Sequence, residues 1–161
     1  MSQNESVKVG KSGGDSVSIY RVALVRESSV IESTTATPIQ KSSEAAEILR
    51  PLFAELDREQ FVVLMLDAQH RPLGMSVISI GSLTASIVHP REVFKAAILS
   101  NSAAVIIAHN HPSGEPTPSE ADIKITRDLI RAGQLLKIDV LDHIIMGNPN
   151  HSSLRTLGYF L

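Results

Sequence analysis

The sequence predicts a mixed α/β (α+β) domain in which a mixed β-sheet is flanked by helices. Three observations carry this. Residues 61–66 (FVVLML) and 103–108 (AAVIIA) are short apolar runs that read as buried strands. Three stretches, starting near Ser43, Pro90 and Ser119, place apolar residues at helical spacing. Of the 161 residues 43% are apolar, enough to bury one sizeable core and so to make one domain.

The elements follow in order. Residues 1–16 are polar and Gly/Ser-rich and read as a disordered tail. Residues 17–41 hold an N-terminal strand, alternating over 18–26, and a Ser/Thr-rich connector; the domain proper is 42–161. From Ser43, apolar residues at Ala45, Ile48, Leu49, Leu52, Phe53 and Leu56 make a helix that Pro51 is expected to kink or break. The strand at 61–66 is apolar throughout, as in a strand buried on both faces. A turn at 67–72 leads to its hairpin partner at 73–80, and 83–88 is a weaker strand. His89-Pro90 starts a helix, with proline at its first position and Val93, Phe94, Ala97 and Ile98 on its buried face. After the strand at 103–108, prolines and Gly114 stiffen a loop, and Ser119 opens a helix packed through Ile125, Leu129, Ile130 and Gly133. Residues 138–146 form another apolar strand, and 151–153 a final short strand or turn.

The most informative segment is HNHPSGEPTPSEAD, His109 to Asp122. Continued through His111, the preceding strand puts His109 and His111 on one face and Asn110 on the other. Ser-Glu-Ala-Asp fits a capping box, which sets Asp122 in the first helical turn. Two imidazoles and one carboxylate suffice to hold a divalent metal with one coordination position open, as catalytic rather than structural sites require. Taken singly, each residue has a plainer reading: Asp122 as a capping acid, Ser119 as an N-cap, each histidine as a hydrogen-bonded residue. The metal reading rests on their joint occurrence. The same donors also suit Fe²⁺. An HNH nuclease is not indicated, because that motif spreads its three residues over a long unit.

At these residues the chain resembles the JAMM (JAB/MPN) metallopeptidases, whose pattern is His-x-His, seven residues, Ser, two residues, Asp. His109, His111, Ser119 and Asp122 keep that spacing. Within the superfamily it is similar to the RadC-like branch, through HNHPSGxxxPSxxD, HPRE at 89–92, Leu66-Asp67 and LDHIIMG at 141–147. The resemblance covers roughly 42–161 and implies a curved mixed sheet flanked by helices. It further implies a Zn²⁺ ion on His109, His111 and Asp122, and a glutamate as general base. Glu59 is the first candidate for that base and Glu55 the second, with a solvated helix-end carboxylate as the plain reading of both. Ser119 would help to stabilise an oxyanion. The implied activity is metal-dependent hydrolysis of a peptide or isopeptide bond. The branch's DNA-repair label offers a second reading, a DNA-associated module, and a catalytically silent interaction domain is a third. Residues 1–39 are too short and too Ser/Thr-rich to hold the Gly-centred helix-hairpin-helix usual in the branch, and Asn110 replaces the Ser or Thr of many deubiquitinating relatives, so neither DNA binding nor ubiquitin chains are expected by default.

Charge and composition narrow the partners. Net charge is −2 and the pI about 6.3, so only weak nucleic-acid binding is expected. The absence of cysteine excludes disulfides, thiolate zinc sites, a cysteine nucleophile and the Pro-Cys-x-x-Cys deaminase signature. No signal peptide or membrane-spanning run is seen, so the cytoplasm is the default. The partner expected is a peptide or protein substrate, with no membrane. His70, His89 and His151 read as loop or structural residues, and Arg91 and Glu92 as a pair or cap. Asp142-His143 reads as a satisfied polar pair at a strand edge, or as support behind the metal.

Overall fold

The computed structural model describes residues 20–25, 37–54, 56–81 and 88–160. Helix α1 spans Ser42–Phe53, strand β1 Gln60–Leu66, β2 Pro72–Ile80, α2 Pro90–Leu99, β3 Ala104–Asn110, α3 Glu120–Leu136, β4 Asp139–Met146 and β5 His151–Ser153. The strands form one mixed five-stranded sheet, ordered β2-β1-β3-β4-β5. Only β3 and β4 run parallel. Parallel neighbours need a long crossover, and α3 supplies it.

Alternation along the interior strands sorts their side chains onto two faces. Val62, Leu64 and Leu66 of β1, with Ala104, Ile106 and Ala108 of β3, pack against Ala45, Ala46, Leu49 and Phe53 of α1. Phe61, Val63 and Met65, with Val105 and Ile107, pack against α2 and α3. Both faces are covered, which is why β1 and β3 read as unbroken apolar runs. His109 therefore looks toward α3, and Asn110 toward the α1 side.

The mixed sheet with flanking helices is the expected fold class. Pro51 lies in the last turn of α1, which stops at Phe53, so it ends the helix rather than bending its middle. Strand β3 stops at Asn110, one residue short of His111, but the His111 amide still donates to the Met146 carbonyl at 2.9 Å and keeps that residue in line. Residues 20–25 are exposed and carry no strand, so the strand expected over 18–26 is not seen there. Its remaining residues, residues 1–19 as a whole and the strand expected at 83–87 lie outside the described residues; Val88 is described and is not in a strand.

Near its end, helix α3 packs closely at Gly133 against α2 and the start of β4. Lys137 turns left-handed (φ 57°) and its amide closes on the Gly133 carbonyl. A Cβ at Gly133 would collide with the Ile138 carbonyl oxygen and lie 3.2 Å from Phe94 and 3.3 Å from Val140. Alanine would gain about 1 kcal/mol of helix propensity. A clash with backbone cannot be relieved by rotating a side chain, so overpacking wins. Gly133→Ala is expected to lower stability by about 1–3 kcal/mol, read as a lower urea midpoint at unchanged slope.

Candidate metal centre

The site stands at the carboxyl ends of the parallel pair β3 and β4, where open α/β sheets place ligands. His109 is the last buried residue on its face of β3, and Phe61 lies directly opposite it on β1. The Phe61 ring stacks on His109 (6.0 Å between centroids, 10° between planes) and meets His143 edge-on at 5.6 Å. This wall keeps water from the back of the imidazoles.

Asp122 reaches the site because Ser119 starts α3. The Ser119 hydroxyl accepts from the Asp122 amide at 3.2 Å. In return, Asp122 Oδ2 accepts from the Ser119 amide at 2.7 Å and from its hydroxyl at 2.6 Å. The capping box is thus complete. Asp122 Oδ1 then faces His109 Nε2 at 3.2 Å. The capping reading and the metal reading of Asp122 do not compete: one oxygen is the cap, and the other points inward.

His109 Nε2 and His111 Nε2 are 3.0 Å apart, and His111 Nε2 is 3.6 Å from Asp122 Oδ2. One donor atom from each residue lies within 4.8 Å of the others, a grouping that can hold a metal ion. His111 Nδ1 is 2.8 Å from the Glu115 carbonyl, which can only accept, so its hydrogen sits there and Nε2 offers a lone pair. A set of imidazole nitrogens and a carboxylate with one position left for solvent fits Zn²⁺.

Electrostatics agree. Burial pushes the Asp122 carboxyl up, but the His109 and His111 imidazoles beside it and the hydrogen bonds from Ser119 outweigh it and hold the group below the usual carboxylate range. His111 is raised, chiefly by the Asp122 carboxylate beside it and against burial, with smaller help from the Glu115 carbonyl and the Glu59 charge. In the metal-free protein a proton therefore occupies His111 at and somewhat above the ordinary imidazole pKa of about 6.5. Metal must displace it. Affinity for a divalent metal ion is expected to fall about tenfold per pH unit below the raised His111 pKa. Competition with a chromophoric chelator between about pH 8 and 5.5 checks this; affinity that stays flat across the range counts against His111 as a ligand.

Glu59 lies one residue before β1, and extending the β1–β3 register two steps past the Phe61–His109 pair would set it opposite His111. Its segment is held closely. Asn110 Oδ1 accepts from the Gln60 amide at 2.7 Å, Asn110 Nδ2 donates to the Arg58 carbonyl at 3.1 Å, and the Gly81 amide donates to the Glu59 carbonyl at 2.8 Å. The rival Glu55 lies outside the described residues.

Three residues do more at the site than their local sequence suggests. His143, on β4, is fully buried and its Nε2 is 2.9 Å from His109 Nδ1. Its neighbour Asp142 points to the other face and is satisfied by Ser153, the Arg155 amide and the His143 amide. The pair is thus split: Asp142 fits the structural reading, and His143 stands behind the site. Burial, together with the nearby His109, pushes the His143 imidazole well below its ordinary pKa. Thr126 is one helical turn beyond Asp122 and so shares its face, a signal legible in the sequence. Asn110 lies on the opposite face, as alternation along β3 predicts, but nothing local reveals its reach to Arg58 and Gln60. His70 is an exposed turn residue, His89 caps α2 through backbone alone, and His151 begins β5 half-buried.

Beside His111 a cavity of about 400 Å³ opens on the α1 side, lined among others by Arg50, Phe53, Leu56, Asn110 and Met146. Among the described residues, no helix is long and apolar enough to cross a membrane.

A family model described as RadC-like JAB domain matches residues 39–159. The chain is 46% identical over 132 residues to the UPF0758 protein of Methanosarcina mazei, covering 80% of this chain and 58% of that one. It is 43% identical over 136 residues to the UPF0758 protein of Methanococcoides burtonii, covering 84% and 59%. It is 51% identical over 112 residues to UPF0758 protein STH371 of Symbiobacterium thermophilum, covering 70% and 48%. The chain thus spans about half the length of the curated relatives it matches.

Proposed function

The chain belongs to the RadC-like JAB domain family, and from that premise we propose that it is a zinc-dependent hydrolase acting on peptide or isopeptide bonds. The observation that carries this reading is the convergence of His109 Nε2, His111 Nε2 and the Asp122 carboxylate at a strand end bordering an open cavity. His109, His111 and Asp122 would hold the ion. A divalent cation there would supply Lewis acidity and lower the pKa of water toward about 7.

The remaining work falls to the chain. Glu59, opposite His111 and anchored through Asn110 and Gly81, takes the proton of the attacking water and returns it to the leaving amine. The Ser119 hydroxyl now donates to Asp122. Turned outward, it would donate to the developing oxyanion, and the backbone bond from the Ser119 amide keeps Asp122 in place meanwhile. The cavity beside His111 would seat the substrate chain, with Phe53, Leu56 and Met146 offering apolar contact and Arg50 a cation. The protein's setting in the cytoplasm, without membrane and with little nucleic-acid affinity, belongs to the same proposal.

The test is metal analysis of the chain purified without added metal, followed by a screen of the zinc-loaded chain against a peptide library. One zinc per chain and cleavage that a chelator abolishes are expected. Iron in place of zinc would redirect the reading to oxygenase chemistry. Bound zinc with no cleavage of any peptide or isopeptide would support the silent interaction domain instead.

A further inference from the structure

The bonds behind His109 admit one arrangement of hydrogens. Thr126 Oγ1 is 2.6 Å from the Asp122 carbonyl oxygen. A carbonyl only accepts, so the single hydroxyl hydrogen goes there. Thr126 Oγ1 is also 2.6 Å from His143 Nδ1. Its hydrogen being spent, the hydroxyl accepts, and His143 Nδ1 carries the hydrogen. A second hydrogen on His143 Nε2 would point at His109 Nδ1 and leave a charged ring in a fully buried place, walled by Phe61 and met by no carboxylate among its hydrogen-bond partners. Nε2 of His143 is therefore bare and accepts from His109 Nδ1 across 2.9 Å. The neutral His109 ring, the form that binds a metal, then has no hydrogen at Nε2, the atom that faces His111 and Asp122.

We propose that His143 and Thr126 are positioning residues: they lock His109 in the tautomer that presents Nε2 to the metal and tie that ligand to the backbone of Asp122. This rests on the metal reading of the site. The relay joins β3, β4 and α3, and its three side chains are all buried. Through it, the first ligand and the third are set by one chain of bonds, so neither shifts without the other. His111 Nε2 is bare for its own reason, the Glu115 carbonyl. Two lone pairs 3.0 Å apart repel unless a cation, proton or metal, stands between them. Ligating histidines usually give their second N–H to a carboxylate, a carbonyl or water, and loss of that partner typically weakens metal binding by about 10–100-fold. A neutral imidazole in this place holds the ring's orientation while adding no negative charge to the centre.

The experiment uses the full chain with zinc as the probe. Long-range ¹H–¹⁵N NMR at about pH 8, above the ordinary imidazole pKa, assigns the hydrogen on each ring, with and without zinc. Nδ1–H on both His109 and His143 is expected. Nε2–H on His143 overturns the relay. Zinc affinity is then measured for Thr126→Val, which keeps the shape and loses the hydroxyl, and for Thr126→Ser, which keeps the hydroxyl. Valine is expected to weaken binding by about tenfold or more, serine by about twofold or less. His143→Leu should cost about 10–100-fold, and His143→Gln, whose amide oxygen can accept from His109, should recover most of it. Wild-type affinity in Thr126→Val, or equal loss in Gln and Leu at position 143, overturns the proposal, because packing alone would then account for these residues. A wild-type chain that takes up no zinc sinks the metal reading; the tautomers of the metal-free chain still decide the relay.

Discussion

Glutamine at position 59 is expected to leave fold and metal content intact and to lower hydrolysis by about 10²–10⁴-fold. The amide matches the carboxylate in size but cannot take a proton at neutral pH. Fold should survive because the segment is held by backbone groups: Arg58 and Gln60 by the Asn110 side chain, and the Glu59 carbonyl by Gly81. Metal should survive because Glu59 is not among the three converging donors. The readout is turnover of whichever peptide the library screen yields, beside zinc content and a thermal melt. Glu55→Gln is the control. A dead Glu55→Gln beside a Glu59→Gln of wild-type rate would move the base to position 55. Full activity in both would mean that the water needs no protein base. Asn110→Ala offers a graded check, since it frees the Glu59 segment without touching its carboxylate; its rate should fall between the wild type and Glu59→Gln.

The other large effect is on the metal. His111→Ala is the cleaner substitution, because His111 sits half-buried at the loop and its truncation leaves little cavity. Loss of zinc affinity beyond the roughly 100-fold upper range for a residue behind a ligand is expected. His109→Ala should lose metal to the same degree and also stability. It empties a fully buried site, takes the stacking partner from Phe61 and strands His143 Nε2 without a donor. Retention of one zinc per chain in the double variant would refute the assignment. Metal removal alone should not unfold the chain. The ligands ride on β3 and α3, which are anchored in apolar clusters on either side of the sheet, and each fully buried Leu, Ile or Phe there is worth about 1.5–3 kcal/mol. Zinc at 100 times its dissociation constant adds only about 2.7 kcal/mol. Chelation should therefore lower the melting temperature and keep the circular-dichroism signal, and loss of that signal at room temperature would contradict the reading.

What the sequence determined by itself is what short-range periodicity and capping can encode. Alternation along β3 put His109 and Asn110 on opposite faces, Ser119 announced the start of α3, and the box spacing brought Asp122 into its first turn. Those constraints act over a few residues, so they are written in local order. The apolar runs gave β1 and β3 as doubly buried strands for the same reason, since a strand covered on both faces needs no polar positions. The tertiary structure alone decided which distant groups meet. His143 is 34 residues from His109 and reaches it only because β4 lies parallel beside β3 in one particular register. Asn110 is 50 residues from Gln60, and its amide becomes an anchor for the Glu59 segment only where β1 begins against the end of β3. A polar side chain near a strand looks alike whether it pairs locally or across the sheet. Register breaks the tie, and register comes from the packing of both faces at once.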